Sequence, residues 1–375
     1  MKNTIVVEKY KRIIDSIIKL INTLYIGEKD RTENVLLRLN RLYIDLSNYT
    51  ENQVLENIYN IILDLGDEHT LLKIKESPKH YFPICINWSN NKMMMIDKEG
   101  NKCIVTKINS ISMKDIYNLY YKKKIYQSDS MIQLSLLKDI IFAKNMFDDD
   151  ILEVEYMIDK KKYETLFYKV KLHILEKGKD QNTNSKIENT LYEIDRISEK
   201  TIYLKIVTFH KKDISLKIEK SLSVVGEFDN IIIDLRNNPG GFIKEAKNFF
   251  SLFIDKKVVF PYEILKKGKN GYCLYEQEVT GNGKYKNKKI YLLVNEFTMS
   301  CCEYIVALGI KLFTKNKLLI GNKTAGVPNQ ASIYKLDEHL EFQLTVSKYT
   351  GLSDEYINGI DPDIYIEDIS IECLI

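Results

Sequence analysis

The sequence contains no run approaching the roughly 20 uninterrupted apolar residues that a bilayer-crossing helix requires, so a helical membrane protein is excluded. It also shows no secretory leader: after Met1-Lys2-Asn3, the run Thr4-Ile5-Val6-Val7 is broken at once by Glu8, Lys9, Lys11 and Arg12. These two absences lead to the expectation of a cytoplasmic protein. Cysteine is sparse. Cys85, Cys103, Cys273, Cys301, Cys302 and Cys373 form no CxxC pair and no Cys/His metal spacing, so reduced, mostly buried thiols are expected and a structural zinc site is not. Neither charge dominates: 55 Lys and Arg stand against 52 Asp and Glu, a net +3 that provides no clustered basic surface for nucleic acid. No metal or cofactor is implied. What is present is 375 residues, 45% of them hydrophobic and 29% charged, enough for two or three soluble modules.

The first 75 residues are expected to be helical. Val7, Tyr10, Ile13, Ile14, Ile17, Ile18, Ile21 and Leu24 recur at helical spacing, as do Val35, Leu36, Leu39, Leu42 and Leu46. Val54, Leu55, Ile58, Ile61, Ile62 and Leu65 make a third stripe, opened by a Thr50/Gln53 capping box and closed by Gly66. Residues 76–177 read as a mixed α/β module. Cys103–Asn109 and Leu152–Ile158 are expected as strands, and Met113–Tyr121 and Met131–Ile141 as helices. The polar stretch Gly178–Asn189 is the best linker candidate. Beyond it, strands at Thr201–Val207, Asn230–Leu235 and Lys289–Val294 alternate with helices at Ile214–Val225, Phe242–Phe253 and Ser300–Leu312. That alternation predicts a largely parallel sheet covered by helices, with ligands at the carboxyl ends of its strands.

Two of those strand ends carry candidate chemistry. In Asp234-Leu-Arg-Asn-Asn-Pro-Gly-Gly241 a buried strand runs into paired glycines and then a helix, so backbone N–H groups can approach an oxyanion without a Cβ in the way. An ordinary tight turn would need the same residues. In Asn295-Glu-Phe-Thr-Met-Ser-Cys-Cys-Glu303, Ser300 stands where the next helix begins. A serine there is most often an N-cap, but a nucleophile can be presented on such a turn with the following amide, that of Cys301, facing the developing oxyanion. A nucleophilic serine needs a base. Of the five histidines, His173 reads as structural and His339 as part of a charged turn, while His80 and His210 stay open. His69, in Gly66-Asp-Glu-His-Thr70, is the most suggestive.

Together these segments resemble the tail-specific (C-terminal-processing) serine proteases and their tricorn-core relatives. Asp234–Gly241 and Thr298-Met-Ser-Cys-Cys-Glu303 resemble the family's signature, and Thr201–Phe209 its Tyr-Leu-x-Ile-x-x-Phe strand. Ile320-Gly-Asn-Lys-Thr-Ala-Gly326 resembles its Gly-Glu-Lys-Thr-Phe-Gly segment, Gly359-Ile-Asp-Pro-Asp-Ile364 its Gly-Val-x-Pro-Asp ending, and Asp67-Glu-His-Thr70 an upstream Asp-x-His-Thr element. Six elements fall in the family's order. The resemblance implies an α/β fold: a crotonase-like (ClpP-like) αββ spiral core over 195–375, preceded by a helical module over 1–75 and a cap or degenerate PDZ-like module over 76–177.

One departure shapes the expected mechanism. Many members use a Ser-Lys dyad with the lysine directly after the Thr-x-Gly turn, where this chain has Val327; Lys323 lies on the other side of that turn. The tricorn-like branch uses histidine, and His69 fits it, with Glu68 in place of that branch's serine. The resemblance thus implies a peptidase acting on peptides or proteins, with Ser300 as nucleophile, His69 as general base and a carboxylate to hold the imidazole. Glu355 is favoured for that carboxylate over Glu68, and the oxyanion hole would be the amides of Gly240 or Gly241 and of Cys301. Three alternatives stand beside this reading: a cysteine hydrolase using Cys301 or Cys302, an inactive peptide-binding protein, and an acyl-CoA enzyme on the same fold.

Overall fold

The protein is described here from a computed structural model covering residues 2–67, 69–74, 80–81, 86–89, 92–96, 101–123, 151–158, 162–169, 171–172, 191–268 and 271–366. The expected linker at 178–189, the expected helix at Met131–Ile141 and His173 lie outside these residues. The chain divides into two compact units. One holds Met1–Ile14, Glu33–Asn184 and Tyr334–Phe342; the other holds Asp15–Thr32, Ser185–Ile333 and Gln343–Ile375.

The apolar stripes of the amino-terminal region fold as helices over Lys2–Leu24, Lys29–Asp45 and Glu51–Leu63. The capping box forms as expected. Gln53 N–H donates to Thr50 Oγ1, and Thr50 N–H donates to Gln53 Oε1. Gly66, at φ +66°, closes the third helix from the left-handed region that a residue with a Cβ enters only at a cost. In the unit that holds Glu33–Asn184, strands Ile86–Ser89, Lys92–Ile96, Lys102–Ile108, Ile151–Ile158 and Lys162–Lys169 make an antiparallel sheet in that spatial order. The helix Met113–Lys123 follows the strand Lys102–Ile108 through a turn at Asn109-Ser110.

The second unit is built on a six-stranded sheet. Tyr192–Ser198 pairs antiparallel with Thr201–Ile206; then Thr201–Ile206, Asn230–Asp234, Lys289–Val294, Lys317–Gly321 and Ile364–Tyr365 run parallel in that order. The alternation of side chains across the pleat sorts each strand into two sets. Ile202, Leu204, Ile206, Ile231, Ile233, Leu292 and Leu319 join Ile214, Ile218, Phe249, Phe250 and Ile305 of the helices in one large core. Tyr203, Ile232, Leu293 and Ile320 form a smaller cluster on the opposite face. Burial on both faces explains why Ile231-Ile232-Ile233 carries no polar residue. A hairpin of Lys257–Gly268 and Gly271–Thr280 pairs with the strand that ends at Thr350.

The expected helix from Ser300 differs in its winding. Cys302–Ala307 form a π-helical turn before the α-helix Leu308–Phe313. Every side chain from Cys301 to Ile310 is buried, so no polar stripe exists in the sequence from which 3.6 residues per turn could be told from the wider winding.

Candidate active site

Adjacent parallel strands end side by side, and their turns are knitted together. Asn237, at φ +63°, donates its N–H to Asn295 Oδ1 at 2.9 Å, while Asn295 Nδ2 donates to Asn237 Oδ1 at 3.0 Å. Thr298 Oγ1 donates to the Leu235 carbonyl at 2.9 Å. Asn238 is fully buried and ties three segments. Its Nδ2 donates to the Ile206 carbonyl at 2.8 Å, its carbonyl accepts Met299 N–H at 3.0 Å, and its Oδ1 accepts Gly240 N–H at 2.9 Å. Asp234, at the strand terminus, takes Arg236 Nε at 2.9 Å, Arg236 Nη2 at 2.7 Å and the Tyr203 hydroxyl at 2.8 Å. A buried carboxylate satisfied in this way stiffens the turn and leaves it out of the chemistry.

Ser300 sits on the second turn at φ +57°, in the left-handed region, and is partly exposed. For a residue with a Cβ this conformation costs on the order of 1–3 kcal/mol and persists only where the surroundings enforce it. They do so here. A Cβ built on Gly240 would lie 2.9 Å from the Ser300 Cβ, 2.9 Å from the Met299 carbonyl oxygen and 3.4 Å from Cys301 N. The paired-glycine turn therefore lies directly against the serine turn. A Cβ on Gly241 (φ +146°) would lie 2.2 Å from the Phe209 carbonyl carbon and 2.3 Å from His210 N, so the backbone at 209–210 packs flat on that residue. Gly241→Ala is expected to destabilise the protein by about 3 kcal/mol or more, seen as a lower urea midpoint. Gly351→Ala is the control, since it has φ +79° but nothing within 4 Å of the added carbon.

Among the amides expected to form an oxyanion hole, that of Gly240 is already committed to Asn238 Oδ1. The Gly241 N–H reaches the Cys301 sulfur, and the Cys301 N–H lies in the first helical turn, where amides have no intrahelical acceptor. Burial pushes the Cys301 thiol up to about 12 and the Cys302 thiol well above its ordinary value, where Cys301 and Glu303 push it in the same direction. Both are neutral, enclosed thiols, which removes the cysteine-hydrolase alternative. Cys301→Ala is expected to keep reaction with a serine-directed probe within about threefold of wild type.

Glu303 is a structural hub between two turns. It is fully buried and accepts Thr324 Oγ1 at 2.5 Å, Gly326 N–H at 2.6 Å and Val327 N–H at 3.1 Å. The Ser300 N–H also donates to it. Burial raises its carboxyl to about 7 against the pull of those donors. One side chain thus holds the serine turn and the Thr324–Val327 turn together. The only hint of this in the sequence is the spacing, with Glu303 three residues after Ser300 on a helix that is otherwise apolar.

His69 belongs to the other compact unit. It is half-buried, in a turn organised by Asp67: its N–H donates to Asp67 Oδ1 at 2.9 Å, and Thr70 Oγ1 donates to Asp67 Oδ2 at 2.8 Å. Burial lowers the imidazole pKa; Asp67 acts to raise it and Lys73 to lower it further. Glu68 lies outside the described residues. Glu355 is exposed on the short helix Asp354–Ile357, hydrogen-bonded to Tyr356. Asp67 stands out in the sequence only as part of the Asp-x-His-Thr element; its carboxylate accepting the amide two residues on is the Asx-turn it forms.

Residues 200–366 match the model of Peptidase family S41. Proteins named "Probable CtpA-like serine protease" are 33% identical over 162 residues in Staphylococcus aureus strain N315 and 34% identical over 142 residues in a Staphylococcus epidermidis strain. The matches cover 42% and 36% of this chain, and 30% and 27% of those proteins. The aligned region thus spans less than a third of the curated relatives. Among solved structures, mature CPAF complexed with lactacystin superposes with a TM-score of 0.68 at 12% identity, covering 96% of this chain and 94% of that one. The photosystem II D1 C-terminal processing protease superposes at 0.56 and 15%, covering 95% and 93%. At these identities the superpositions establish a shared mixed α/β fold. No described helix is long and apolar enough to cross a membrane.

Proposed function

We propose that the chain is a serine peptidase that hydrolyses peptide bonds through an acyl-enzyme at Ser300. The observation that carries this reading is Ser300 itself, strained to φ +57° at the end of a parallel strand and backed by Gly240 and the first-turn amide of Cys301. In this reading Ser300 Oγ attacks the carbonyl carbon as His69 takes its proton. The tetrahedral oxyanion rests on the Cys301 amide and, once it leaves the Cys301 sulfur, the Gly241 amide, and His69 returns the proton to the leaving amine. Water then repeats the sequence on the acyl-enzyme. The carboxylate that orients His69 is Glu355 or, on the contacts around the histidine turn, Asp67; Glu355→Gln and Asp67→Asn separate the two.

The same reading assigns a crotonase-like core to 195–375, a helical module to 1–75 and a PDZ-like or cap module to 76–177. The substrate is a peptide or protein, and the compartment is the cytoplasm. The test is labelling with a fluorophosphonate followed by peptide mapping. Wild type is expected to carry the phosphonyl group on Ser300, with fluoride released, and Ser300→Ala to carry none. A folded wild type that stays unlabelled would favour the noncatalytic peptide-binding protein instead.

A further inference from the structure

The strand Gly271–Thr280 lies at the edge of its sheet. Among the described residues it pairs with Lys257–Gly268 and with no further strand, so one row of its N–H and C=O groups faces outward. Gly271 to Glu276 are exposed at odd and even positions alike, so both faces of this half of the strand stand clear of the core. Tyr272, Leu274 and Tyr275 are 61%, 54% and 53% exposed. Folded proteins guard such an edge with charge, proline or a bulge. The run Gly271-Tyr-Cys-Leu-Tyr275 has no charge and no proline, and the irregularity of this hairpin lies between Val259 and Glu263, away from that run.

Residues directly opposite each other in an antiparallel pair share a face. One face of this hairpin carries Glu263 opposite Glu276, Leu265 opposite Leu274 and Lys267 opposite Tyr272. It is therefore acidic at one end, apolar in the middle and basic toward the tip. Two glutamates placed directly opposite repel each other. Neither has an ion-pair partner among the described residues, and Lys348 of the neighbouring strand lies opposite Leu265 rather than opposite a glutamate. Lys267 is four residues from Glu263, about 13 Å along the strand, so the hairpin does not neutralise its own acidic end.

We propose that two copies of the chain dimerise through this edge, Gly271–Thr280 pairing antiparallel with its counterpart about a two-fold axis at Leu274. The interface is independent of the peptidase reading. In this register Leu274 faces the partner's Leu274, and with Leu265 of each copy the two make one apolar row across four strands. On either side of it the row Glu263, Glu276, the partner's Tyr272, the partner's Lys267 sets the basic tip of one copy beside the unneutralised acids of the other. The ammonium reaches Glu276 along the face of the intervening ring. On the opposite face Tyr275 meets the partner's Cys273. An axis one residue to either side sets Leu274 against a glutamate or carries Glu276 beyond Gly271, so the charges select the register. A strand edge with a few side chains is a small interface, and the dimer is accordingly reversible.

The test is analytical ultracentrifugation of the full chain over a concentration series, with far-ultraviolet circular dichroism confirming that each variant is folded. Wild type is expected to pass from monomer to dimer as concentration rises. Lys267→Glu places like charges in both flanking rows of its own dimer, and so does Glu276→Lys; each alone should raise the dissociation constant at least about tenfold. Mixing the two variants makes both rows complementary again, so the mixture should regain a dimer within about threefold of the wild-type constant. Both residues are on the surface, and a variant that failed to fold could not be rescued by mixing. Leu274→Cys in a Cys273→Ser background should form an intermolecular disulfide under mild oxidation, because the two-fold sets residue 274 against itself, while Cys273→Ser alone should form none. A wild type that stays monomeric to about 200 μM overturns the proposal and leaves the edge to a different strand. It is equally overturned if either charge variant dimerises as wild type does, if the mixture stays monomeric, or if the Leu274→Cys disulfide does not form in a dimeric sample.

Discussion

His69→Ala is expected to lower the rate of Ser300 acylation by roughly 10⁴- to 10⁶-fold, because a serine without its base is a hydroxyl at its ordinary pKa. The protein should remain folded, so far-ultraviolet circular dichroism should match wild type while fluorophosphonate labelling nearly disappears. The pH profile distinguishes a base from a merely structural histidine. The active form is the neutral imidazole, and burial lowers the His69 pKa below its ordinary 6.5. Labelling should therefore rise with pH through an inflection below 6.5 and be flat near neutrality. The neighbours set the direction of further change. Asp67→Asn removes the group that raises the pKa and should move the inflection to lower pH. Lys73→Gln removes a group that lowers it and should move the inflection up. A profile indifferent to both substitutions would exclude His69, and His210→Ala would then be measured in the same assay.

Glu303→Ala is expected to destabilise the protein by about 3–5 kcal/mol, read from urea unfolding, and to reduce labelling of Ser300 in whatever folds. The reason is the number of donors left behind: the Thr324 hydroxyl and the amides of Gly326, Val327 and Ser300 would all face a void. Glu303→Gln keeps one oxygen and sets an NH₂ against the remaining donors, so a smaller loss of about 1–3 kcal/mol is expected. The carboxyl also couples stability to pH. Its pKa rises from 4.5 in the unfolded chain to about 7 in the fold, so its contribution is fully present below pH 4.5 and lost as pH rises through about 7. The change over that window is on the order of 3 kcal/mol and should be absent from Glu303→Gln. Equal midpoints for Glu303→Ala and wild type would show that the carboxylate does not hold the two turns together.

Much of this was legible in the chain. The apolar runs at 201–206, 230–234 and 289–294 can be buried on both faces only in a helix-covered parallel sheet, and that arrangement places the turns after Asp234 and Val294 side by side. The Thr50/Gln53 cap is a local interaction among four residues, so it needs no tertiary information. The turns at Gly240-Gly241 and at Ser300 were legible as turns because strands end there, while their reading as a site came from the resemblance of their segments to the tail-specific proteases.

What the sequence could not convey is how side chains from distant positions divide the available hydrogen bonds. Asn238 looked like one polar residue of a turn, yet it takes the Gly240 amide and so withdraws that amide from any oxyanion. Glu303 looked like one acid on an apolar helix, yet it collects donors from a turn more than 20 residues away. The π-helical winding after Ser300 left no trace in a segment buried all round. Composition and periodicity report which residues avoid water, and local turn rules report where the backbone must bend. Sequence alone therefore determined a helix-covered parallel sheet with a serine presented at a strand end. The tertiary structure decided which amides stay available around that serine and which buried carboxylate holds it, because a hydrogen-bond donor serves whichever acceptor the fold brings within 3 Å.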